Sequence, residues 1–148
     1  MNKLGVGLDR ADHFLDGVSD VEIMVLRGHL LLEEELYALL SARLPQARFV
    51  LEANFRFTQL VAIAKSLIFR EEDRPVWLAI EALNSLRNKL AHRLEPKGYE
   101  PLVRQIDLLN PVPISEALHH EDTAVAINRG LGFMLAFLQL NRVPPEQK

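Results

Sequence analysis

The sequence has no cysteine. This rules out a disulfide framework and any metal site built on thiolates. Other signatures are missing too. There is no glycine-rich phosphate loop, no Gly-x-Ser-x-Gly turn and no His-Glu-x-x-His helix, so nucleotide-loop, serine-hydrolase and zincin chemistry have no foothold. The opening residues lack the apolar run and small-residue cleavage site of a signal peptide. The longest apolar run, 131–138, is interrupted by Gly132 and is too short to span a bilayer. These points lead us to expect a cytoplasmic protein that does not engage a membrane. Charge of one sign is also missing. A net charge of −3 gives the whole chain no pull on nucleic acid, so any such contact must rest on a local cluster.

What is present is apolar and helical. Of 148 residues, 49% are hydrophobic and 25% charged, enough for one domain with its own core. No segment alternates with a period of two, so no sheet is expected. We expect an all-α bundle of about five helices, with a loose lead-in over 1–18 and a tail over 141–148. Ser19 or Asp20 can cap a helix over 20–44, which Pro45 stops. A second helix is expected over 55–69. Glu71-Glu72-Asp73 suits a helix start, with Asp73 as cap and Pro75 in the first turn of a helix running to 92 or 94. A short helix over 100–109 and a last one over 116–140 follow, joined by the Asn110-Pro111-Val112-Pro113 linker.

Two of these helices are informative. At about 100° per residue, the helix over 20–44 is apolar nearly all round. Ile23, Leu26, Leu30, Tyr37 and Leu44 form one face, and Val25, Leu32, Leu36 and Leu39 the opposite one. A helix apolar on every side is covered on every side, which predicts a homodimer or, alternatively, a central helix covered wholly by its own chain. The helix from Pro75 carries an apolar arc of Val76, Ile80, Leu83, Leu90 and Leu94. Opposite it runs a polar stripe of Glu81, Asn84, Ser85, Asn88 and His92, which Trp77 opens. Asn88 and His92, four apart, are neighbours. Arg87 falls within the apolar arc and therefore needs a carboxylate or a route to water. The Glu33-Glu34-Glu35 cluster is the obvious supply.

Arg87-Asn88-x-x-x-His92 near the end of a helix, in a small all-α chain, resembles the HEPN domains. Their mark is an Arg and a His separated by a short spacer, often with a polar residue directly after the Arg. Here the spacer is four residues and the polar residue is Asn88. The resemblance covers the helical layout of most of the chain, but only these residues are diagnostic. It implies a helical bundle, often dimeric, in which Arg and His of both chains share one cleft. It implies RNA as substrate and, for toxin members, an antitoxin or regulatory protein as partner.

Carried onto this chain, the resemblance makes His92 the acid or base on the 2′-hydroxyl or the leaving oxygen. Arg87 would stabilise charge on the phosphoryl oxygens, and Asn88 would orient either group. Lys89, Arg93 and Lys97 would supply a local positive field for RNA, and Asn84, Glu81 and Glu34 would support the site. No cofactor and no metal enter this chemistry. In one toxin group a Tyr stands two residues after the His, where this chain has Leu94. A different reading also fits: a non-catalytic helical module that binds a protein partner. The acidic and histidine clusters elsewhere, Glu71-Glu72-Asp73 and His119-His120-Glu121-Asp122, read as solvated helix starts.

Overall fold

The computed structural model describes residues 21–92, 99–111 and 120–144, the side chains of 120–122 excepted. These residues form six α-helices and one 3₁₀ turn, and no strand occurs among them. The helices are α1 (Val21–Arg43), α2 (Arg48–Glu52), α3 (Phe57–Ile68), α4 (Arg74–Ala91), α5 (Glu100–Asp107) and α6 (His120–Leu140); the turn Glu71–Asp73 precedes α4. The all-α bundle expected from periodicity is thus observed. The lead-in over 1–18 and the positions 116–119 lie outside the described residues.

Local chemistry sets the boundaries. Pro45 follows the last turn of α1, whose end is closed by Leu44 N–H donating to the Leu40 carbonyl. Asn54 takes φ 55°, the left-handed conformation that Asn tolerates, and turns the chain from α2 into α3. Asp73 occupies the residue before α4, but its carboxylate accepts from Arg70 Nε at 2.9 Å instead of capping the helix. Pro75 does stand in the first turn. The unforeseen element is α2. It buries none of its side chains, so it leaves no apolar period to read.

The α1 helix is the hub. It packs most extensively on α6 and also touches α2, α3 and α4, while α5 bridges α4 and α6. Val25, Leu32, Leu36 and Leu39 are fully buried by the chain's own helices. The opposite face divides. Tyr37 and Leu44 pack at the edge of the core, whereas Ile23, Leu26 and Leu30 are 42%, 38% and 62% exposed. Trp77 sits at the angle of the polar stripe of α4, yet it is buried, with its ring edge-on to Phe137 at 5.5 Å. The segment Thr123–Leu140 of α6 is long and apolar enough, by length and composition, to cross a membrane; half of it is buried in the bundle. The apolar run read in the sequence covered only part of this segment, because counting unbroken residues stops at each polar one.

Candidate functional site: a cleft between α1, α3 and α4

Arg87 opens onto a cleft of about 340 Å³ lined by eight residues. The α1 wall supplies His29 and Glu33. The start of α3 supplies Arg56, Phe57 and Thr58. The α4 wall supplies Asn84, Arg87 and Asn88. Helical spacing explains the two long walls. His29 and Glu33 are four apart on α1, as are Asn84 and Asn88 on α4, so each pair stacks along one line of its helix.

Arg87 is half-buried, and among the described residues it forms no ion pair. Its Nη1 donates to Asn88 Oδ1 at 3.2 Å. The expected carboxylate supply goes elsewhere. Glu35 is buried and paired with Arg142, with Gln139 Nε2 donating to it at 3.4 Å. Glu34 is exposed and does not line the cleft. Glu33 does share the cleft, but at a distance that leaves Arg87 without a salt bridge. The cleft therefore holds two guanidinium groups, of Arg56 and Arg87, against one carboxylate. It is a local positive site on a chain of net charge −3.

The residue that sequence reasoning missed is His29. The sequence names no companion for it, and the structure supplies Asn84 and Phe57 in contact and Arg87 and Glu33 as charged neighbours. Its Nε2 donates to Asn84 Oδ1 at 3.0 Å. An amide oxygen only accepts, so this contact fixes the hydrogen on Nε2 and leaves the Nδ1 lone pair free. The ring lies against Phe57, centroids 4.2 Å apart and tilted by 31°. Burial holds its pKa below the ordinary histidine value; Arg87 adds to the lowering, while the Asn84 bond and Glu33 oppose it. A signal for His29 existed. It lies on the buried face of α1, between Val25 and Leu32, and a polar group there must find a partner.

The remaining predicted residues are dispersed. His92 ends α4 and is exposed, one turn beyond Asn88, without lining the cleft. Lys89 is exposed and does not line the cleft. Glu81 is exposed and paired with Lys65 Nζ at 3.2 Å. Arg93 and Lys97 lie outside the described residues. Among the described residues no group of three His, Asp or Glu side chains could hold a metal ion. In comparisons with known proteins, no family model matches the chain, and neither a curated protein nor a solved structure shows significant similarity to it.

Proposed function

We propose that the chain is an RNA-directed protein of HEPN type, a metal-independent endoribonuclease that uses Arg87 and His92 at a dimer cleft. The observation that carries this reading is Arg87 itself. It is a half-buried guanidinium on a cleft wall, with no carboxylate bound to it and two asparagines beside it. An arginine kept for structure would be closed by an ion pair; this one is free to bind a phosphodiester. Attack by the neighbouring 2′-hydroxyl leaves a 2′,3′-cyclic phosphate and calls for no metal. His92 is exposed at the helix end, where a second copy can bring its own cleft to it.

The dimer has its own support. Ile23, Leu26 and Leu30 form an exposed apolar line on α1. Leu30 is three residues from Glu33, so this line runs up to the cleft wall. The same apolar line favours the second reading, a non-catalytic module that docks a regulatory protein or antitoxin there.

The test is incubation of the purified chain with total RNA and structured transcripts in EDTA, beside Arg87→Ala and His92→Ala. The parent is expected to cut and leave cyclic phosphate ends, and both variants to be inert while still dimeric. Full cleavage by either variant removes that residue from the mechanism. Absence of cleavage by the parent shifts the assignment to the binding module.

A further inference from the structure

We propose that His29 is the proton-accepting group of the Arg87 cleft, taking the proton of a hydroxyl on a ligand whose phosphate is held by Arg87. The inference rests on the reading of this cleft as a phosphodiester site, and it divides the work between two histidines that the motif alone cannot divide.

Four features converge on His29. The imidazole is 7% exposed and packs against Phe57 at a tilt of 31°, so its orientation is set before any ligand arrives. Asn84 takes the Nε2 hydrogen, which dictates that the basic nitrogen is Nδ1. Nδ1 has no hydrogen-bond partner and is not sealed from solvent among the described residues. Finally, the ring shares its cleft with the guanidinium that would bind phosphate. A base must be neutral to act, and this ring is kept neutral by burial and by the field of Arg87.

The charged groups around the ring give the site a built-in coupling. On α1, Glu33 favours protonation of His29. On α4, Arg87 disfavours it and Asn84 favours it through the hydrogen bond. Arg56, at the start of α3, adds a second positive charge to the rim. When a phosphate docks on Arg87, its negative charge offsets the guanidinium field. His29 then binds a proton more readily than in the empty cleft. Ligand binding thus raises the basicity of the group that must accept the proton.

In the proposed cleavage the 2′-oxygen forms a bond to phosphorus and the bond from phosphorus to the 5′-oxygen breaks. The proton of the 2′-hydroxyl moves to His29 Nδ1. The departing 5′-oxygen takes a proton from His92, which is left as the acid. The products are a 2′,3′-cyclic phosphate and a 5′-hydroxyl, and no oxidant or metal is consumed.

The experiment is an NMR titration of the imidazole resonances with and without uridine 3′-monophosphate, assigning His29 by its loss in His29→Gln. The His29 midpoint is expected to lie below those of exposed histidines and to move to higher pH with the nucleotide. The movement should vanish in Arg87→Ala. Asn84→Asp, which gives the Nε2 hydrogen a carboxylate, should raise the midpoint without any ligand. In cleavage assays His29→Gln should lower kcat by about 10²-fold, the scale of a lost general base, with little change in KM. Asn84→Asp should shift the acidic limb of the pH profile upward. A His29 midpoint indifferent to the nucleotide, or a His29→Gln variant with the parent's kcat and acidic limb, overturns the proposal. The two readings fail separately. A parent that cuts no RNA while His29 responds to the nucleotide removes the RNase and keeps the coupled site. A parent that cuts while His29 is silent does the reverse.

Discussion

Glu35 and His29 are both ionisable side chains placed inside the bundle, and each meets burial differently. Glu35 takes Arg142 as a partner, whereas burial holds the His29 pKa below the ordinary histidine value. Different responses to mutation follow. Arg142→Ala leaves a fully buried carboxylate without its cation, and a loss of about 2–3 kcal/mol is expected in chemical denaturation. This lies below the roughly 3–5 kcal/mol of a fully buried pair because Arg142 keeps 35% of its side chain in water. Glu35→Gln should be milder, since the orphaned Arg142 can turn to solvent and a neutral amide suits a dry site. Equal losses in the two variants would contradict this account. His29 makes the pH dependence. In the unfolded chain an imidazole binds its proton near pH ~6.5, while in the folded chain it does so only at lower pH. Between those values the unfolded state holds the extra proton, so stability falls as pH falls. Above about pH 6.5 this effect is absent, and it is complete once the folded ring also protonates. The melting temperature of the parent should therefore fall on acidification from neutral pH, and His29→Gln should flatten that slope.

At the scale of elements, the helices meet closely at two glycines of unlike tolerance. A Cβ on Gly130 would lie 2.3 Å from Ile106 Cγ2 and 3.0 Å from the Ile106 carbonyl oxygen, so α5 and α6 would have to separate. Gly130→Ala should destabilise by about 1–3 kcal/mol, the range for overpacking. On α1 a Cβ at Gly28 would meet only the end of the flexible Leu131 side chain, at 3.0 Å. The gain in helix propensity, about 1 kcal/mol, should offset that contact, leaving Gly28→Ala near the parent in thermal denaturation. A larger loss at position 28 than at 130 would reverse the assignment.

Most of these elements were legible in the sequence, because α3, α4 and α6 each bury a face and therefore write a period, while α1 is marked by apolar residues all round and by Pro45 after its end. The α2 helix buries nothing and wrote none. The cleft was legible on its α4 wall in part: Asn84 and Asn88 lie on the polar stripe, while Arg87 stands out only as a guanidinium within the apolar arc that needs a partner or water. Its other walls were not. His29 finds Asn84 across 55 residues of chain, and nothing in the expected helix over 55–69 marks Arg56 for this cleft. The destination of Arg87 was misjudged for the same reason: Glu35 was taken by Arg142, a tail residue that periodicity cannot place.

For the whole molecule, the proposed dimer turns on one line of side chains. Ile23, Leu26 and Leu30 are exposed beside a helix that is otherwise the best covered in the fold. Leu30→Glu places a charge in that line at a position 62% open to solvent. The monomer should tolerate it with little change in melting temperature, while light scattering should show the dimer dissociating. An oligomeric state unmoved by Leu30→Glu places any dimer contact on another face.

The pairing of α1 with α6 also sets an order in time. Glu35 meets Arg142 across 107 residues, and Arg43 donates to the carbonyls of Asn141 and Val143 at 2.8 and 3.3 Å. A ribosome makes α1 before α6, so until α6 emerges the buried leucines of α1 have no lid. The core can close only after α6 and the residues that follow it to Val143 leave the exit tunnel, which makes the nascent α1 a natural client for whatever shields apolar segments at the ribosome.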